Sequence, residues 1–148
     1  MRAFLGVDPG ASGASVIVLD GEPPKFVYHS ETEAEISNWY ELILRKHYPV
    51  YAMIEKVSAM PKQGVSSTFK FGQSFGFLRG LLTAHKIPFE LVSPVKWQNA
   101  LQCRTGGDKN ITKAKASQLC PSIKWTHKTA DAYLLAEYAR RFGGWKNV

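Results

Sequence analysis

A chain of 148 residues with 45% hydrophobic content is long enough to bury one core, and we expect a single domain spanning residues 1–148. The formal net charge of +7 favours a polyanionic partner over an acidic small molecule, and two cysteines are too few for a disulfide framework. Because no apolar run has the length of a signal-peptide core or a membrane span, we expect a cytoplasmic protein without a membrane partner.

The first half of the chain alternates short apolar runs with turns and contains one helical pattern. Between residues 31 and 46, apolar residues recur at the spacing that is typical of one face of a helix. The other apolar runs are short, partly β-branched and bounded by glycine, proline or aspartate, which is typical of strands. The predicted elements are strands at 3–7, 14–19, 25–29 and 50–54 and a helix at 31–46.

The second half is predicted to be mainly helical. Gly72 and Gly76 lie in one helical stretch, so we expect their face to pack closely against another backbone. In the last helix Thr129 is the predicted N-cap, and Asp131 lies in the first turn. The predicted elements are helices at 66–85, 94–101, 112–119 and from 129 onward, a strand at 88–92 and a loop at 105–110. Their order predicts an α/β fold, with a mixed five-stranded sheet and helices on both faces.

Three acidic residues lie where the predicted elements begin or end. Asp8 and Glu55 each follow a strand, and if those strands are parallel neighbours, a lateral spacing of about 4.8 Å allows a shared cation. Asp131 continues the inward face of the last helix, on which Leu135 and Tyr138 also lie. Each acid also has an ordinary explanation, as a turn residue, a solvated strand end or a partner of the helix dipole. Together they suit phosphodiester cleavage with two divalent ions about 3.5–4 Å apart.

The positive charge is concentrated in one segment. Residues 96–128 contain seven lysine or arginine residues and one acid, a pattern typical of either a solvated face or a phosphate-binding surface. Lys109 and Lys113 are the favoured phosphate contacts, because a four-residue separation near a helix aims both side chains the same way. The candidate phosphate contacts along the whole chain are Lys62, Lys70, Arg79, Lys96, Lys109, Lys113 and Lys115.

Five short stretches, taken in order, carry a family resemblance. They are Phe4-Leu5-Gly6-Val7-Asp8-Pro9-Gly10, Ile54-Glu55, Phe71-Gly72-Gln73-Ser74-Phe75-Gly76, Val92-Ser93-Pro94 with Lys96 and Trp97, and Thr129-Ala130-Asp131-Ala132-Tyr133-Leu134-Leu135-Ala136. Each stretch is weak by itself, but the ordered set covers nearly the whole chain. It resembles the RuvC-type Holliday-junction resolvases, and particularly their short phage-encoded relatives.

The resemblance implies a bacterial or phage nuclease with a ribonuclease H-like fold. It implies a homodimer that nicks opposed strands of a four-way DNA junction and leaves 5′-phosphate ends. Mg²⁺ or Mn²⁺ is implied, with two ions per active site, and no small-molecule cofactor is expected. Asp8, Glu55 and Asp131 match the family's metal-binding acids, and the segment around Lys109 and Lys113 resembles one near the family's active site.

Two positions depart from the family's pattern. Three residues before the last aspartate, where the family usually has an Asp or a His, this chain has Lys128. Either His127 serves as the fourth ligand, or Lys128 contacts the scissile phosphate or the attacking water, or His127 is an ordinary loop residue. After Glu55, where several members carry an aromatic wedge, the chain has Ser58-Ala59-Met60, so that Met60 is either an apolar wedge or a packing residue.

Two other functions remain open from the sequence. The first is a broader nuclease of the same fold that acts on flaps, other branched DNA or RNA–DNA hybrids. The second is a DNA-structure binding protein without catalysis, which the lysine at position 128 would favour.

Overall fold

The computed structural model describes residues 2–47, 49–57 and 64–143. In chain order the elements are β1 (Ala3–Val7), β2 (Ala14–Leu19), β3 (Glu22–Tyr28), α1 (Glu33–Lys46), β4 (Val50–Glu55), α2 (Val65–Ala84), β5 (Phe89–Val92), α3 (Pro94–Ala100), α4 (Lys109–Leu119) and α5 (His127–Phe142). Within these ranges, no helix is long and apolar enough to cross a membrane.

The five strands form one mixed sheet in the order β3-β2-β1-β4-β5. β1 is antiparallel to β2 and parallel to β4, β2 is antiparallel to β3, and β4 is parallel to β5. Strands β1, β3, β4 and β5 therefore all run in one direction and end at the same edge of the sheet. This arrangement confirms the predicted mixed five-stranded sheet.

The central strands are buried because helices cover the sheet on both faces. Alternate residues of a strand point to opposite faces. On one face, Leu5 and Ile54 belong to the core that includes α1 and α2. On the other face, Phe4 and Met53 belong to the core that includes α3, α4 and α5. The prediction of helices on both faces is confirmed.

The last helix begins earlier than predicted. The N-cap is Thr126 and not Thr129: Thr129 N donates to Thr126 Oγ1 at 3.3 Å, and Thr126 N donates to Thr129 Oγ1 at 3.1 Å. Both residues favour helix caps, and the reciprocal pair satisfies the backbone only when the helix begins at His127. Asp131 therefore lies in the second turn and not in the first, and Lys128 lies inside the helix.

Two other boundaries also differ from prediction. α4 begins at Lys109, because Asp108 Oδ1 accepts a hydrogen bond from Asn110 N at 3.0 Å and caps the helix. The final residues of the predicted loop 105–110 are therefore helical. β3 begins at Glu22 and includes two prolines, which an edge strand tolerates because its outer amides need no partner in the sheet.

Candidate active site

Three carboxylates converge at the edge of the sheet where β1 and β4 end. The parallel register pairs Val7 with Ile54, so that the next residues, Asp8 and Glu55, lie side by side at the ends of the two strands. Asp131 comes from α5, which packs against β1 and β4. Its negative charge raises the pKa of both Asp8 and Glu55. The structure thus brings together the three acids predicted from the sequence.

Gly6 allows α5 to approach β1 closely. A Cβ atom at this position would lie 1.9 Å from the carbonyl oxygen of Ala132 and 2.4 Å from the amide nitrogen of Ala136. Any side chain larger than hydrogen would therefore push the helix away from the strand. Since Asp131 directly precedes Ala132, this contact sets the distance between the helix carboxylate and the two strand carboxylates.

The turn after Asp8 is tied to the sheet and to α2. Asp8 N donates to the carbonyl of Ala14 at 3.0 Å, which continues the pairing of β1 with β2. Gly10 has a φ of +99°, which favours glycine, and its amide donates to Ser74 Oγ at 3.1 Å. Asp8 is consequently presented from a turn with fixed partners, although Ser74 was not predicted to support it.

Glu55 is oriented by Trp97. The buried indole Nε1 donates to Glu55 Oε2 at 2.8 Å. Burial raises the pKa of Glu55 to about 7, the Trp97 hydrogen bond opposes the shift, and Asp131 adds to it. Trp97 belongs to one of the stretches that carry the family resemblance, but its position in the sequence did not predict a contact with the acids.

Asp8 and Asp131 also have raised pKa values. Burial raises the pKa of Asp8 well above its usual range, and repulsion from Glu55 and Asp131 adds to this shift. Burial likewise raises the pKa of Asp131, which a hydrogen bond with the Thr112 side chain opposes. Lys109 lowers the pKa of both aspartates. The three carboxyl groups therefore disfavour one another's charged forms, and the nearby positive charge of Lys109 only partly offsets this effect.

The chemistry of these three residues fits a hard divalent cation. Carboxylate oxygens are preferred ligands of Mg²⁺, and a bound dication would remove the repulsion that disfavours their charged forms. In the described part of the chain, no three His, Cys, Asp or Glu side chains already lie in an arrangement that holds a metal. Binding would therefore require the carboxylates to turn toward a common centre.

His127 and Lys128 have different surroundings. His127 lies four residues before Asp131 on the same face of α5, and its charge lowers the pKa of that aspartate. Lys128 Nζ lies over the ring of Tyr28, 5.8 Å from its centroid. The structure thus places His127 near the acids and Lys128 beside the end of β3.

The predicted phosphate contacts occupy several surfaces. Lys109 lies at the start of α4 and lowers the pKa of Asp8 and Asp131, and Lys113 lies one turn further along the same helix. Burial raises the pKa of the Cys103 thiol, and the charge of Lys115 opposes this shift. The remaining described candidates are Lys96 on α3 and Lys70 and Arg79 on α2, all of them exposed. Met60 and Lys62 lie outside the described residues.

Comparison with known proteins identifies the fold. Neither a protein-family model nor a curated protein sequence matches the chain. A structure of Thermus thermophilus RuvC is 17% identical, with a TM-score of 0.63 over 93% of this chain and 95% of that one. T. thermophilus RuvC in complex with a Holliday-junction substrate is also 17% identical, with a TM-score of 0.67 over 97% of this chain and 98% of that one. The chain therefore has the RuvC-type, ribonuclease H-like fold that the resemblance implied.

Proposed function

We propose that the protein is a metal-dependent endodeoxyribonuclease that resolves four-way DNA junctions by paired, symmetric nicks. The observation that carries this proposal is the convergence of Asp8, Glu55 and Asp131 at one edge of a RuvC-type sheet. A structural neighbour solved with a Holliday-junction substrate supports the choice of DNA substrate.

The three acids would hold two divalent ions, Mg²⁺ or Mn²⁺. When bound, such ions supply Lewis-acid activation of water and charge stabilisation for phosphodiester cleavage, which leaves a 5′-phosphate end. Trp97 occupies Oε2 of Glu55 and leaves Oε1 for a further ligand. His127, four residues before Asp131, is the proposed fourth ligand, because its position relative to the acids suits that role.

The basic residues would bind the phosphate backbone around the cut. Lys109 is the first candidate, because it lies close enough to the acids to change their pKa values. Lys113 follows one turn later on α4, and a phosphate chain crossing that face would meet both residues. Lys115, Lys96, Lys70 and Arg79 are proposed as further contacts, and the predicted contacts at Lys62 and Met60 remain predictions.

A second copy of the chain would cover α2. The helix carries Gly72, Gly76 and Gly80 at four-residue intervals, and a Cβ at any of them would meet no atom within 4 Å in the described part of the chain. The close packing predicted for this face is therefore not made within that part. Phe69, on the same helix, is 67% exposed. We propose that two α2 helices pack on each other about a twofold axis, which would place two active sites on one junction.

The first test is a nicking assay on a labelled four-way junction beside a linear duplex of the same sequence, with Mg²⁺, with Mn²⁺ and with EDTA. We predict paired nicks that need both the metal and the junction. Asp8→Asn should reduce nicking by at least about 100-fold and spare junction binding, because binding depends on the basic residues. Asp20→Asn, at the opposite edge of the sheet, is the matched control and should nick normally.

Other outcomes of that assay would identify the two alternatives. Equal cutting of flaps, three-way branches or RNA–DNA hybrids would replace the proposal with a broader nuclease of the same fold. Junction binding without nicks in any metal would indicate a DNA-structure binding protein. Retained cleavage by Asp8→Asn would show that the acids are not the catalytic centre.

A further inference from the structure

A surface pocket lies beside the acids, on the β3 side of the sheet. Its volume is about 400 Å³, and it is lined by Tyr28, Ser30, Thr126, His127 and Lys128. Tyr28 ends β3, which runs in the same direction as β1, so that the pocket opens at the sheet edge that carries Asp8. His127 lines the pocket, lies one helical turn before Asp131 and lowers the pKa of that aspartate, so one residue of the pocket lies near the acid cluster.

The pocket has the chemistry of a nucleotide-binding surface. Its lining contains an ammonium group, two aliphatic hydroxyl side chains, an imidazole and an aromatic ring, and none of its described residues carries a carboxylate. Lys128 Nζ lies 5.8 Å from the centroid of the Tyr28 ring, so the cation and the ring are presented together. Lysine and hydroxyl side chains bind phosphates, while aromatic faces receive sugars and bases. The volume lies within the roughly 300–1,000 Å³ of small-ligand sites.

Two neighbouring cavities have a different charge. The cavity between the turn after Asp8 and α2 has a volume of about 550 Å³, and Glu31 and Glu33 outweigh Lys70 among the charged side chains of its described lining. The groove between β3 and α1 includes Glu31 and Glu35. Carboxylates repel a polyanion, so a DNA strand that leaves the acid cluster on this side is better received by the pocket at Lys128.

We infer that this pocket is a subsite for one nucleotide of the cut strand, adjacent to the scissile phosphate. Lys128 contacts the phosphate of that nucleotide, and Tyr28 packs against its sugar or base. This inference rests on the proposed function, since it needs the acids to be the cutting site. It gives Lys128 the role of binding the cut strand. From the sequence alone, a contact of Lys128 with the scissile phosphate or the attacking water was equally possible.

The test is a map of phosphate contacts made without cleavage. Single neutral methylphosphonate linkages are placed, one at a time, at each phosphate near the branch point, and junction binding is measured in EDTA. We expect the wild type to lose affinity at several positions, because several basic residues are proposed to contact phosphates. One of these losses, about tenfold as for a charge-assisted contact, belongs to the phosphate that Lys128 binds. Lys128→Gln should bind the unmodified junction about tenfold more weakly than the wild type. A neutral linkage at the phosphate that Lys128 contacts should not weaken its binding further, because that contact has already been removed.

The matched control is Lys46→Gln, which removes a lysine from the end of α1 at the opposite edge of the sheet. It should bind like the wild type and show the same phosphate map. Two results would overturn the inference. In the first, the loss of affinity caused by Lys128→Gln adds to the loss caused by the neutral linkage at every position. In the second, Lys128→Gln binds the junction as tightly as Lys46→Gln.

The aromatic part of the subsite is tested separately. Tyr28→Leu should weaken junction binding several-fold, whereas Tyr28→Phe keeps the ring and should bind normally. Thermal unfolding checks that both variants fold, and equal binding by folded Leu and Phe variants would contradict the role of the ring. Failure of the proposed function looks different: the wild type would not nick in any metal, while the phosphate map in EDTA would still depend on Lys128.

Discussion

Glu55 is subject to two opposing influences, and their balance sets its response to pH. The Trp97 indole donates to Oε2 at 2.8 Å and stabilises the carboxylate, whereas burial and Asp131 favour the protonated acid. The pKa is raised from 4.5 to about 7, so the metal-free fold disfavours the charged form. The contribution of Glu55 to stability is therefore complete below about pH 4.5 and is lost as the pH rises through about 7.

We predict that Glu55→Gln makes the metal-free protein less sensitive to rising pH. The glutamine cannot acquire the buried charge that the wild type carries at about pH 8, and the shift corresponds to at most about 3 kcal/mol. Urea unfolding in EDTA between about pH 5 and pH 8 measures the effect as the difference between the two proteins. Parallel profiles for the wild type and the variant would contradict this prediction.

His29 responds to pH in the opposite direction, which is why the comparison with the variant is needed. Burial lowers its pKa from 6.5 to about 4, and Nε2 lies 2.8 Å from Ser15 Oγ. Its stabilising contribution is present above about pH 6.5 and is lost as the pH falls through about 4. The windows of His29 and Glu55 overlap, so only the change caused by Glu55→Gln isolates the acid.

At the scale of elements, the contact of α5 with β1 is predicted to control both stability and the site. Gly6→Ala would introduce a methyl group 1.9 Å from the carbonyl oxygen of Ala132. Because neither backbone can give way cheaply, we expect a loss of about 1–3 kcal/mol or more in the free energy of unfolding. Metal affinity should fall in the same variant, because Asp131 moves with the helix. Denaturant unfolding and a calorimetric Mn²⁺ titration measure the two effects.

Gly80→Ala is the matched control for the substitution at Gly6. Its methyl group would meet no atom within 4 Å in the described part of the chain. Replacing glycine by alanine inside a helix stabilises it by up to about 1 kcal/mol. Measured at low protein concentration, where the proposed contact between α2 helices does not contribute, this variant should be at least as stable as the wild type. A Gly6→Ala protein with wild-type stability and metal affinity would show that α5 is not held at this point.

Most of the elements, but not all of their ends, could be predicted from the sequence. Local signals, namely apolar periodicity, short apolar runs and turn residues, predicted every strand and helix that the structure describes. The predicted start of α5 was wrong because both Thr126 and Thr129 are suitable caps, and only their reciprocal hydrogen bonds show that the helix begins after Thr126. Asp8 and Glu55 were predicted because strand ends can be read locally, and Asp131 because it continues the apolar face of its helix. Trp97 and Thr112 were not, because they reach the acids from other elements through tertiary packing.

At the scale of the whole molecule, the exposed glycine face of α2 bears on the proposed pairing of two cuts. Gly76→Gln places a long side chain in the middle of that face, where the described part of the chain has no atom within 4 Å of a Cβ. We predict a monomer whose fold is no less stable, since glutamine is the better helix former. Light scattering measures the mass, and thermal unfolding at low protein concentration measures the stability.

The consequence for cleavage follows from the geometry of a pair. With one active site per particle, each strand of a junction would be nicked independently, so a supercoiled plasmid bearing a cruciform should yield nicked circles before linear product. The wild type, as the proposed dimer, should yield linear product directly, because the second cut would occur within the same complex. Ser67→Gln, exposed on the opposite side of α2, is the matched control and should cut like the wild type. Paired cutting by a monomeric Gly76→Gln protein would rule out α2 as the contact that couples the two sites.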